Sequence, residues 1–280
     1  MRKPQLILIL SGLLLFSVLY FFTPRFTAKE ATASSQSAEN QIVTTESILS
    51  TAKLALSESQ KISLLSIENQ LIKASNAQDS LKSYKALTQF WADSAQKLAP
   101  YLYFSYSAAL LENSEKSLTF AAQLLVDNLL TPDAPPALLP WIAGNAKVLL
   151  EKALVINPKN DSAKINLGAC YLFGNLSDNP MQGITKIKEV VDKDSTNAYG
   201  QFILALGGKK SGQYDKAIER FLTVINIQPN HIEAMIHLAE CYELTDQKAL
   251  AIEWYTKVSN SVNIPEAKEA ISKRIKELKK

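Results

Sequence analysis

Two cysteines in 280 residues give the chain no disulfide framework, and two histidines leave little to offer a transition metal. The 9 glycines and 11 prolines are too few for a collagen-like or low-complexity chain. With 47% hydrophobic and 20% charged residues, the composition also excludes intrinsic disorder. Charge of one sign is scarce: Arg2, Lys3, Arg25 and Lys29 against Glu30 account for the whole net charge of +3, and residues 31–280 balance. No basic stripe runs through that part, which argues against a nucleic-acid partner. Alternating strand patterns with hairpin turns are missing, as are G-x-S-x-G, H-E-x-x-H and any Cys/His pairing, so no hydrolase or metalloenzyme machinery and no cofactor motif can be read.

Several segments imitate chemistry without its requirements. In Gly207, Gly208, Lys209, Lys210 and Ser211, Lys209 and Leu204 stand where a phosphate-binding loop needs glycine. Basic residues followed by Gly212 predict a helix C-terminus instead. Asn175, Asp178 and Asn179 are short of the carboxylates a calcium loop uses. His231 and His237 are six apart, a spacing that points them to different sides of a helix and predicts polar surface residues rather than shared metal ligands. Tyr101, Tyr103, Phe104 and Tyr106 suit either a stacking surface or the core of a helix begun by Pro100 at its first position.

What is present begins with an uncharged run over residues 6–22, about 26 Å long as a helix and close to the hydrocarbon thickness of a bilayer. Arg2 and Lys3 before it, and Tyr20, Phe21 and Phe22 at its end, predict a membrane anchor over residues 1–26 with a cytoplasmic N-terminus. A cleaved signal peptide is the competing reading, through Ala31, Thr32 and Ala33. Against it, the run is longer than a signal's apolar core, and Arg25, Lys29 and Glu30 precede that site. In a bacterial cell either reading places the rest of the chain outside the cytoplasm, in the periplasm or beyond. Residues 27–45, rich in Ala, Ser, Thr, Gln and Glu, read as a flexible linker.

Beyond the linker, apolar residues recur at helical spacing, so the fold class is all-α. A repeat is superposed on this periodicity. Counting from Asp161, Leu167, Gly168 and Tyr171 fall at positions 7, 8 and 11; counting from Ile232, Leu238, Ala239 and Tyr242 do the same, with Ala251, Tyr255 and Val258 at 20, 24 and 27. From Ala198, Leu204 and Ala205 hold 7 and 8, Ala217 and Phe221 hold 20 and 24, and Pro229 holds 32. The pattern resembles the tetratricopeptide (TPR) repeat, whose two helices cross where positions 8 and 20 are small. The first unit carries three extra residues, expected in the turn around 174–180. Upstream, Ala146, Leu150, Ala153 and Pro158 fit a second helix, and prolines at 132, 135, 136 and 140 push its partner back to 114–130. The expected plan is degenerate helical hairpins over 46–144, TPR repeats over 145–265 and a polar capping helix over 266–280. Cys170 and Cys241 share position 10, two repeats and about 20 Å apart, which predicts free, buried thiols.

The resemblance implies a concave groove lined by positions 2, 5, 9, 12 and 13: Ser162, Ile165, Ala169, Leu172 and Phe173, then Tyr199, Phe202, Leu206, Lys209 and Lys210, then Glu233, Ile236, Glu240 and Glu243. Most places where chaperone adaptors of the family hold a peptide's carboxylates carry Ile, Ala, Phe or Glu here. A protein or peptide partner with an apolar anchor and a basic flank fits better, unless neighbouring helices cover the apolar positions. The implied function is a non-catalytic membrane-tethered scaffold, or a chaperone-like assembly factor similar in plan to the anchored adaptors of cytochrome c maturation and of the translocon. An enzyme using Asp192 and Asp194 is a third reading, weakened by their place in a short connection between repeats.

Overall fold

A computed structural model describes residues 43–131, 134–176 and 180–280. The expected membrane anchor and most of the linker lie outside the described residues; among those described, no helix is long and apolar enough to cross a membrane. The described chain is all-helical: α1 Thr45–Leu54, α2 Glu58–Ile72, α3 Ala77–Gln89, α4 Leu98–Glu112, α5 Glu115–Leu130, α6 Leu139–Ile156, α7 Asp161–Phe173, α8 Met181–Val191, α9 Ala198–Lys210, α10 Tyr214–Ile227, α11 Ile232–Leu244, α12 Lys248–Ser261 and α13 Pro265–Leu278.

Consecutive helices pack as hairpins, α3 on α4, α5 on α6, α7 on α8, α9 on α10 and α11 on α12, and α13 closes the stack against α12. Small residues set the crossings. Gly168 of α7 and Gly183 of α8 meet so closely that a Cβ on Gly183 would stand 2.4 Å from the Gly168 carbonyl oxygen. Ala205 with Ala217, and Ala239 with Ala251, occupy the same places in the next two hairpins, all fully buried. The three-residue insertion therefore lies between α7 and α8. Asn160 and Asn197 cap the first helices, accepting from the N–H of Ala163 at 2.8 Å and of Gly200 at 2.9 Å. His231 holds the equivalent place before α11, its Nδ1 accepting from the Ala234 N–H at 3.2 Å.

One core runs from Leu102 in α4 to Tyr255 in α12. A second lies beneath α2 and α3 around Trp91, which a π-helical turn over Phe90–Ser94 carries inward. Phe104 packs into it with Tyr84 and Tyr103 alongside, so this part of the aromatic cluster is core. α4 starts at Leu98, two residues before the expected proline start; Pro100 sits in the first turn, where a missing N–H breaks no helical bond. The boundary placed at 144/145 lies inside α6, whose partner is α5. Gly212 takes a left-handed φ of 74° and helps end α9, consistent with a helix terminus over 207–212. Cys170 and Cys241 are free and buried, and burial pushes their thiols up to about 12 and about 11.

Gly183→Ala should destabilise the chain by about 1–3 kcal/mol in urea unfolding, because α7 and α8 must separate and the roughly 1 kcal/mol gain in helix propensity is smaller. Gly144→Ala, where a Cβ would meet nothing within 4 Å, should instead stabilise it by about 0.5–1 kcal/mol.

Candidate functional site

The first helices of successive hairpins touch one another, α5 with α7, α7 with α9 and α9 with α11, while the second helices stand further apart. That asymmetry bends the stack and makes α5, α7, α9 and α11 the wall of a groove. Side chains three, four and seven residues apart share a face of a helix. On α5 this brings Phe120, Gln123 and Asp127 into one stripe; on α7 it pairs Ser162 with Asn166; on α11 it aligns Glu233, His237 and Glu240.

The centre of this wall is a chain of hydrogen bonds running one way. The Tyr199 hydroxyl donates to Asn166 Oδ1 at 2.5 Å, Asn166 Nδ2 donates to Gln123 Oε1 at 2.6 Å, and Gln123 Nε2 donates to Asp127 Oδ1 at 2.7 Å. Asn166, only 2% exposed, thus joins three repeats with its amide. Each donor is polarised by the next acceptor, and the chain ends on a carboxylate. Burial pushes the Tyr199 phenol up to about 12, with the charges of Asp127 and Glu233 adding to the effect, so Tyr199 is a donor throughout the neutral range. A recess of about 280 Å³ opens beside it, lined by Gln123, Ser162, Ile165, Asn197 and Tyr199.

Further along, Lys209 from α9 reaches both Glu240 and His237 of α11; His237 Nδ1 lies 3.0 Å from Lys209 Nζ and 2.7 Å from Glu240 Oε2. Burial alone would raise the Glu240 carboxyl, but hydrogen bonds from His237 and Lys209 and the Lys209 charge bring it down to about 2. Glu243 is engaged by Arg274 of α13, which donates from Nε at 3.0 Å and through a second nitrogen. Lys210 donates to the Leu172 carbonyl at 3.0 Å and lies over the Phe173 ring.

These contacts sort the expected groove residues. Ile165, Ala169, Leu172 and Phe202 are buried, filled in by neighbouring hairpins, so these four do not line an open surface. Phe173, Tyr199, Leu206, Lys209, Ile236, Glu240 and Glu243 are half-buried and Glu233 is exposed. Of the acids, Glu240 and Glu243 are held by ion pairs within the chain. The two histidines do not part as their spacing suggested: His231 precedes α11 as its cap, so both rings flank Phe202, at 4.8 and 6.1 Å between centroids. Asp194 accepts from the Thr196 N–H and hydroxyl, and Asp192 ends α8; both are connection residues. The spacing missed Phe120, Gln123 and Asp127, because α5 lay outside the recognised repeats, and Asn166, because it stands at repeat position 6, outside the expected groove set. Among the described residues no group of three or more His, Cys, Asp or Glu is placed to hold a metal ion.

A family described as "Regulator of microtubule dynamics protein 1-3" matches residues 201–280. No curated relative matches the chain. Among solved structures it is similar to MamA, residues 41 to the end, from Desulfovibrio magneticus RS-1, at 20% identity and a TM-score of 0.44, covering 65% of this chain and 95% of that one. A second MamA structure aligns at 16% identity and a TM-score of 0.43, over 65% and 92%. YrrB, titled a TPR protein with an unusual peptide-binding site, aligns at 17% identity and a TM-score of 0.42, over 74% and 97%.

Because the folded Glu240 carboxyl lies below its ordinary value of 4.5, its interactions add stability above about pH 4.5 and lose it as pH falls towards about 2. The stability difference between wild type and Glu240→Gln, from urea titrations, should be largest from about pH 5 upward and shrink through that window. A difference that does not change with pH would contradict the assignment.

Proposed function

We propose that the chain is a non-catalytic, membrane-tethered TPR scaffold that holds a protein partner in the groove of α5, α7, α9 and α11 on the exported side of the cytoplasmic membrane. The observation that carries this reading is the hydrogen-bond chain from Tyr199 to Asp127. It fixes three repeats in one register and keeps polar, partly exposed groups facing an open recess, which suits recognition of a peptide backbone or polar side chains better than interior packing does. The recess contains no convergent nucleophile, base and oxyanion donors, the arrangement that catalysis would use.

The tether rests on the uncharged run of residues 6–22 and the basic residues before it. A partner held by a fixed groove distinguishes a scaffold from a chaperone-like adaptor, which would hold many exported clients. Of the groove positions, Glu233 and Ser162 are exposed and suit a photocrosslinking probe, whereas buried Phe202 does not; Glu219 on α10 is an exposed control away from the groove wall. One dominant adduct from both groove probes and none from Glu219 is the expected result. A ladder of many exported proteins would favour the adaptor, and no groove-specific adduct would overturn the binding role. Carbonate-resistant sedimentation of the full chain, with protease access to its C-terminal half from the exported side only, is expected from the tether; release by carbonate would refute it.

A further inference from the structure

A second recess lies among other helices and shares no lining residue with the one beside Tyr199. α9 packs on both α8 and α10, which stand apart, and about 260 Å³ is left open between the start of α8, the end of α9 and α10. Its lining combines two chemistries. Leu172, Ile184 and Leu204 supply apolar surface, and Lys216 and Arg220, four residues apart and so on one face of α10, supply two cations. Among the described residues no aspartate or glutamate lines this space, and neither cation has an ionic partner. Lys216 Nζ donates to Gln213 Oε1 at 2.9 Å, and Arg220 Nη1 donates to Gln201 Oε1 at 2.5 Å. Both partners are neutral amides.

The Arg220 head is held in place rather than free to swing into solvent. Gln201 is buried and is itself fixed by its donation to the Ser195 carbonyl at 3.2 Å, so the half-buried guanidinium is anchored at one nitrogen with its charge uncompensated. Helix ends do not decide the sign of the potential, since α8 and α10 begin beside the recess while α9 ends there. Room is kept by Gly207, which also lines the space. A Cβ at this position would meet only Leu172 side-chain carbons, at 3.4 and 3.8 Å, which is ordinary contact. Packing therefore does not call for glycine at 207, although glycine weakens a helix relative to alanine. The missing side chain leaves the recess open.

We propose that this recess binds a carboxylate carried on a short apolar stem. The carboxylate oxygens accept from Arg220 and Lys216, and the stem lies against Leu204, Ile184 and Leu172 in the space that Gly207 leaves. A guanidinium with one hydrogen bond spent on Gln201 retains donors for a carboxylate, the partner its planar fork matches. Charge complementarity chooses the anion, and the apolar lining chooses the stem. The volume, below the roughly 300 Å³ at which sites for drug-sized ligands begin, keeps the ligand small. This site is independent of the groove of α5, α7, α9 and α11.

The test titrates the full chain with 4-methylpentanoate and with its neutral counterpart 4-methylpentanamide, binding being read by saturation-transfer NMR. Saturable binding of the acid, about tenfold tighter than that of the amide, is expected, because the amide forfeits the charge-assisted hydrogen bonds. Arg220→Gln should weaken the acid about tenfold. Lys216→Gln, an exposed change that leaves the Arg220 to Gln201 bond intact, should weaken it about threefold. Gly207→Leu, which places a side chain in the recess, should abolish binding while circular dichroism shows the helices retained. N-acetyl-leucine distinguishes two sources of the same chemistry: tighter binding than 4-methylpentanoate marks the C-terminal residue of a polypeptide and weaker binding a free acid, and either supports the site. Equal binding of acid and amide, an affinity unchanged in all three variants, or preference for 3-methylbutyl phosphate over the acid would overturn the proposal, as would no saturable binding of either acid. The groove probes at Ser162 and Glu233 report on the partner-binding reading separately.

Discussion

The close approach of the two helices in each hairpin is the constraint on which the rest of the structure depends. Where Gly168 faces Gly183 there is no room for even one methyl group, and in the following hairpins alanine pairs fill the same place without a gap. With the crossing fixed, the larger neighbours Leu167, Leu204 and Leu238 pack around it, and each hairpin presents its first helix to the next. A helix pair of this length cannot bury enough surface alone, so stacking is what stabilises it. The insertion between α7 and α8 is tolerated because it lies in the connection and leaves the crossing untouched.

Stacking in turn creates the groove. First helices that touch while second helices spread leave a concave wall whose side chains come from four different repeats. Three such repeats are joined by Asn166, and Glu115 at the start of α5 accepts from both Asn157 and Asn160 at 2.8 Å, tying α5 to the turn that begins α7. Polar groups in the wall are thus satisfied by the architecture itself. Among the described residues the one buried side-chain nitrogen or oxygen without a partner is the Trp91 Nε1 atom, far from this wall in the second core. A groove already satisfied internally has little drive to collapse.

Helix class, the hairpin repeat and the insertion were legible in the sequence because they rest on local rules: periodicity, small residues at fixed positions, and proline or glycine at helix ends. The capping role of His231 was legible too, had its alignment with Asn160 and Asn197 been weighed above its helical spacing from His237. The groove was less so. Repeat positions name a face but not what covers it: Ile165 and Ala169 of α7 and Phe202 of α9 are buried, although the frame placed them on an open surface. Likewise the acidity expected from Glu240 and Glu243 depended on charges that long-range packing supplies, since Lys209 and Arg274 come from residues 31 positions away in each case.

Those ion pairs have two consequences that reinforce each other. Lys209 with Glu240 links α9 to α11, and Arg274 with Glu243 links α11 to α13, so each pair fixes the register of a helix against the first helix before it. Pairs of this partly exposed kind contribute modestly to stability, but they restrict how repeats slide past one another. By compensating Glu240 and Glu243 from within the stack, they also remove two carboxylates from the negative charge that the wall presents. The charge of the wall is therefore set by long-range packing as much as by which residues occupy it.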